Sequence, residues 1–155
     1  MKLTSKLFFI LVFATTGLTM QAQDSQPSYN KAMADSLGAD DYGMKSYVLV
    51  ILKSGPSKEK NKTVIDSLFK GHLANIGRLA KENKLTVAGP LEKNTKNYRG
   101  IFILNVKTVE EAKVVLQTDP AIKARLLDAE LYGWYGSAAL PMYLPYVDKV
   151  QKKSF

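Results

Sequence analysis

The chain has no cysteine and a single histidine. Without cysteine there are no disulfides, no thiol catalysis and no thiolate metal sites, so the fold must rest on an ordinary apolar core. One histidine argues against zinc, whose common sites draw on several His or Cys ligands. Nothing clusters the carboxylates into a hard-cation site either, and no cofactor is expected. Long apolar runs are lacking beyond Leu7–Gly17 (LFFILVFATTG). That run is shorter than the roughly 18–20 residues a membrane helix needs, so no stable membrane span is expected. Internal repeats are absent as well.

The apolar run sits where an export signal would. Lys2 and Lys6 form a positive n-region, Leu7–Gly17 the h-region and Thr19–Gln23 (TMQAQ) a cleavage region, with Ala22 the expected last residue of the signal. Residues 1–22 are read as a signal peptide, and the protein is expected in the periplasm or outside the cell. Loss of the two signal lysines lowers the formal charge from +8 to +6. The remaining basic residues are dispersed over helix backs, the Lys93–Arg99 loop and the tail Lys149–Lys153. No aromatic-plus-basic motif of a nucleic-acid module is present, so nucleic acid is not an expected partner and the charge reads as solubility.

Residues 23–44 are polar and weakly periodic, which predicts a flexible leader with a helical turn near Lys31–Leu37. Residues 45–138 are the size of one domain. Ser46–Leu52 (SYVLVIL) reads as a strand ended by Ser54-Gly55-Pro56. Lys62–Asn83 carries Ile65, Leu68, His72, Ile76 and Leu79 at steps of three and four, the spacing of one buried helical stripe, with Lys70, Ala74, Arg78 and Lys81 opposite. Leu85–Leu91 is a second strand whose Gly89-Pro90 suggests an edge or a bulge. Ile101–Val106 is a third. Thr108 and Glu111 form a capping box that opens a helix over Val109–Thr118, with Val109, Ala112, Val115 and Leu116 inward. Ala129–Tyr135 is a fourth strand, and 139–155 is a tail. The order βαββαβ is the ferredoxin-like, α+β arrangement. Strands one and three are apolar on both faces, Val48, Val50 and Leu52 on one side and Tyr47, Leu49 and Ile51 on the other. Since both helices cover one face only, the second must be covered by another subunit or by Leu140–Tyr146.

The chemical signal is narrow. His72 stands in the middle of an apolar stripe, where an imidazole needs a polar partner to offset its desolvation. It is either a satisfied core residue or a general base or acid at a pocket wall. Asp119 is the best-placed partner, because the two helices lie side by side on one sheet face. Asp119 precedes Pro120 and is also a good N-cap for a short turn over Pro120–Ala124. Capping with one carboxylate oxygen and orienting His72 with the other are compatible roles. Arg99 and Arg125 are each able to bind a carboxylate or phenolate, and one face of the strand bearing Trp134 is a candidate pocket lining.

Gly71-His72-Leu73, Ala88-Gly89-Pro90, Arg99-Gly100-Ile101-Phe102, Thr108–Ala112 and Asp119-Pro120 stand in the order and spacing of the YCII-related family, which this chain resembles from about Lys45 to Ala138. The resemblance implies a ferredoxin-like fold that pairs sheet to sheet as a dimeric α+β barrel, hence a homodimer. It implies an acid–base pair at His72 and Asp119, with Gly89 and Pro90 on the strand beside the pocket. One relative in that family removes chloride from a hydroxylated aromatic ring, and muconolactone isomerase shares the architecture. Two departures stand out: Arg125 replaces a residue that is commonly glycine in relatives, and Tyr132-Gly133-Trp134 replaces a His-Pro-Trp triplet. The expected protein is therefore exported, dimeric and small-molecule-binding. Its expected chemistry is of lyase, isomerase or dehalogenase type on a small organic, aromatic substrate, with catalytic His72 and Asp119 and a pocket including Gly89, Pro90, Arg99 and Trp134. The alternative is a non-catalytic binding or structural envelope protein of the same fold.

Overall fold

The computed structural model describes residues 28–153. The expected signal peptide and the start of the leader lie outside the described residues. Where the leader is expected to be flexible with one helical turn, α1 (Lys31–Leu37) forms, capped by Asn30 accepting from the Met33 N–H and ended at Gly38 with φ +69°. Asp40 then turns the chain by accepting the amides of Tyr42 and Met44.

The sheet comprises β1 (Met44–Ser54), β2 (Leu85–Pro90), β3 (Tyr98–Leu104) and β4 (Leu127–Ser137). α2 (Lys62–Lys81) links β1 to β2, while α3 (Val109–Leu116) and α4 (Pro120–Lys123) link β3 to β4. The strands lie in the order β2-β3-β1-β4, every pair antiparallel. This is the ferredoxin-like topology, a small α+β fold with its helices on one face. Among the described residues no helix is long and apolar enough to cross a membrane.

Alternation along the strands places the core. Val48, Val50 and Leu52 of β1, with Phe102 and Leu104 of β3, meet Leu79 of α2 and Ala112 and Leu116 of α3, all buried. Burying a side chain the size of Leu79 stabilises by about 1.5–3 kcal/mol. Thr108 caps α3 through the Glu111 amide, but the Glu111 carboxylate reaches back to the Lys107 N–H, one residue earlier than a strict capping box.

On the other face Leu49 pairs with Ile103 and Ile51 with Ile101, forming a half-buried apolar band. Tyr47 pairs with Trp134 at one end of it. At the other end Lys53 bonds Glu130 at 3.0 Å, and the hydroxyls of Tyr98 and Tyr132 donate to the same carboxylate. The hydrogen bond from Lys53 holds the Glu130 carboxyl below the usual carboxylate range. After β4 the chain forms a 3₁₀ segment (Leu140–Tyr146) and α5 (Val147–Val150). This segment reaches the edge of the sheet, where Tyr143 donates its hydroxyl to the Thr86 carbonyl of β2. Trp134 and Tyr132 stay 37% and 50% exposed on the open face.

Candidate functional site

α2 begins at Asn61, whose side chain accepts the Thr63 and Val64 amides, and runs 20 residues along the sheet. Its inner face holds the expected stripe, but its fully buried members are His72, Asn75 and Leu79. Asp119, 1% exposed, closes the last turn of α3 through its own N–H to the Leu116 carbonyl and opens α4. Gly71 lets these two elements meet. A Cβ at position 71 would lie 2.9 Å from Pro120 Cγ, inside any ordinary contact, so a larger residue would push α2 away from α4. Gly71→Val is expected to cost about 1–3 kcal/mol by overpacking. Denaturant unfolding should show a lower midpoint with an unchanged slope; an unchanged midpoint would mean that the helix does not need this approach.

The Asp119 carboxylate is fully engaged. Oδ1 accepts the backbone amides of Ala121 (2.9 Å) and Ile122 (3.2 Å), the cap of α4. Oδ2 takes His72 Nδ1 at 2.7 Å and Asn75 Nδ2 at 3.4 Å. Burial pushes the carboxyl up, but the hydrogen bond and charge of His72 and the two amides outweigh it and hold Asp119 below its usual range. An ionised Asp119 only accepts, so the proton between the two groups belongs to His72 Nδ1. In the neutral ring, Nε2 is then the free lone pair.

Nε2 has no hydrogen-bond partner among the described residues. No buried side-chain nitrogen or oxygen among them lacks one, so Nε2 is reached by solvent. It faces a cavity of about 390 Å³ whose wall His72 shares with Leu52, Phe69, Leu73, Ile76, Phe102 and Leu127. The ring lies over Phe102 (centroids 5.9 Å apart, planes at 23°) and meets Phe69 edge-on (6.2 Å, 87°). Two aromatic walls and the Asp119 bond hold the imidazole in one orientation. Ala88, Gly89, Pro90, Arg99 and Gly100 complete the lining from the β2–β3 end.

Of the residues singled out from sequence, His72, Gly89, Pro90 and Arg99 line this cavity, and Asp119 stands behind His72. Trp134 does not belong to it. Its register partner is Tyr47, on the face of the sheet away from the helices, where the two rings lie 5.5 Å apart. Tyr132 points to that same open face, two residues along the strand. Arg125 is exposed, lies outside the cavity lining, and has φ +58°, the left-handed conformation in which glycine is unstrained. Arg125 thus takes up a left-handed backbone position in the α4–β4 turn that favours glycine.

Asn75, Arg78 and Thr118 were not anticipated. Asn75 Oδ1 accepts from Arg78 Nη2 (2.7 Å) and from the Thr118 hydroxyl (3.1 Å), and Arg78 also donates to Thr118 (2.9 Å). These bonds aim the Asn75 amide at Asp119 and tie α2 to the end of α3. The available signal was Asn75 itself: three residues after His72 it shares its face, and asparagine is a poor helix former without a side-chain task. Arg78 leaves α2 on its solvent side, as its spacing predicts, and only its guanidinium curls back.

No family model matches the chain, and no curated protein matches it. Among solved structures, one similar chain is the 5-chloro-2-hydroxyhydroquinone dehydrochlorinase TftG from Burkholderia phenoliruptrix AC1100, in complex with 2,5-dihydroxybenzoquinone. It is 20% identical, aligned over 56% of this chain and 92% of that one, with a TM-score of 0.38. A likeness this loose bears on neither ligand nor reaction. The class of protein rests on this chain's own fold and site: a ferredoxin-like domain with a buried His–Asp pair behind an apolar cavity.

Proposed function

We propose that this protein is an exported, homodimeric small-molecule enzyme of the YCII-related kind, in which His72 moves a proton on a small organic substrate. The supporting observation is the polarity of His72: Nδ1 is tied to a buried carboxylate while Nε2 is open to an apolar cavity. Nε2 accepts a proton from a carbon next to a carbonyl or from a phenolic oxygen. The imidazolium so formed is stabilised by Asp119, and the proton returns to another atom of the substrate or to its leaving group. Arg99 holds an anionic oxygen of the substrate. Such a sequence serves an isomerase, a lyase or a dehalogenase alike.

His72→Gln removes the base while keeping a polar side chain of similar reach. Turnover should fall about 10²–10⁴-fold, the range of general acid–base catalysis, with thermal unfolding within a few degrees of wild type. Equal turnover by the variant would reject the reading. Substrates for the assay come from mass spectrometry of small molecules that co-purify with the native protein.

A binding role without turnover is the second reading. It is favoured by the lining, in which Arg99 is the one ionisable group besides His72. A co-purified molecule that returns unchanged after prolonged incubation selects it. Export predicts a mature chain starting at or near Gln23, which N-terminal sequencing of envelope material decides; intact Met1 protein in the cytoplasm would refute it.

A further inference from the structure

The His72 cavity has a neighbour. A second cavity of about 410 Å³ lies along α2 and the start of β2, with Leu144 and Val147 of the C-terminal segment in its wall. Leu73, Ile76 and Ala88 line both cavities. Leu73 is 45% exposed, so the wall that the two cavities share is open to solvent at this point instead of being packed core. The charged or titratable groups are His72 and Arg99 in the first lining and Lys81 and Asp148 in the second, where Thr86, Tyr143 and Gln151 add polar atoms and the rest is apolar or glycine.

Gly77 adds an independent observation. It stands inside α2, where glycine costs about 1 kcal/mol relative to alanine. Neither backbone nor packing calls for it: its φ is not positive, and a Cβ there would meet nothing within 4 Å. What the missing side chain leaves empty is part of the second cavity, whose wall Gly77 forms.

We propose that the two cavities are one elongated site and that its ligand is amphipathic, with an acidic-oxygen head at His72 and Arg99 and an unbranched apolar chain running past Leu73 and Ala88 to Leu144 and Val147. The proposal rests on the function assigned to His72 and specifies its substrate class. The C-terminal segment is then a wall of the site, held against β2 by the Tyr143–Thr86 bond.

The test is calorimetric binding of 4-alkylphenols, from ethyl to decyl, to the full chain and to Gly77→Leu and His72→Ala. Wild type should bind roughly three- to fourfold tighter for each added methylene, the increment of burying one such group, until the second cavity is full. Gly77→Leu fills that cavity from a position with open space and better helix propensity, so its thermal midpoint should not fall. It should bind 4-ethylphenol as wild type does and lose at least tenfold on the longest chains. Chain-length gain that survives in Gly77→Leu overturns the proposal. A wild-type affinity independent of chain length also overturns it; if 4-ethylphenol binding is still lost in His72→Ala, the His72 assignment stands alone. No binding of any alkylphenol to wild type overturns both.

Discussion

Asp119→Ala should lower the unfolding free energy by about 2–4 kcal/mol, the combined cost of a lost helix cap and of lost hydrogen bonds to a buried carboxylate. About 1 kcal/mol of this is the lost cap of α4. The remainder is His72 and Asn75 left facing a void, since Oδ2 is bonded to both. For a domain whose total stability is of order 5–15 kcal/mol, this is a change that equilibrium unfolding in urea reads directly. A loss under 1 kcal/mol would reduce Asp119 to an ordinary cap. Asp119→Asn separates stability from chemistry. Its carbonyl oxygen can keep the cap while its amide donates to His72 Nδ1, which then must accept. The proton moves to Nε2, and the lone pair facing the cavity is lost. Turnover should therefore collapse although the fold persists, and the ¹⁵N shifts of the ring nitrogens should exchange. The pH dependence has a fixed sign. The folded-state Asp119 carboxyl lies below its usual range, so its contribution is fully present above the unfolded value of about 3.9. It is lost as pH falls through the folded value. The carboxylate's own contribution to the stability gap between wild type and Asp119→Asn should therefore close only in acid.

A charge on the open face of a central strand should split the proposed dimer. Leu49→Asp or Ile103→Asp places a carboxylate in the half-buried apolar band, where the two positions are register partners. In a two-fold interface each substitution appears twice. An unpaired buried charge costs about 3–5 kcal/mol, so association should weaken by at least 10²–10³-fold. Sedimentation should move from dimer to monomer at micromolar concentration. The helix-facing core, formed by Val48, Val50 and Leu104 on the opposite side, should be spared, so the far-UV spectrum should not change. Wild-type protein that is already monomeric at that concentration would refute the assembly. Because the C-terminal segment bonds β2 at the sheet edge, the exposed Trp134 and Tyr132 would then need another explanation.

The pair and the cavity divide the labour. Asp119, Asn75, Arg78 and Thr118 form a polar tie between α2 and α3–α4, completed by the amides of Ala121 and Ile122, the Val115 carbonyl and the Glu82 carboxylate. Only one ring nitrogen emerges from that tie into apolar space.

Element order, the inner stripe of α2 and the βαββαβ arrangement were legible in the residues, because period 3.6 and period 2 patterns record which side of each element avoids water. The candidacy of His72 and Asp119 was legible for a related reason: a lone imidazole on an apolar stripe and an Asp before Pro at a helix end are both anomalies of local chemistry. Asn75 carried a local signal too, but its meaning needed Asp119 across the gap, and that contact exists only because Gly71 lets α2 rest on Pro120. The place of Trp134 turned on strand register, since a one-residue step moves a side chain to the opposite face of a sheet. The path of the C-terminal segment was set by the Tyr143 bond to Thr86, between residues 57 apart. Periodicity is local and belongs to the sequence; register, close approach and cavities arise between elements, so only the tertiary structure decided them.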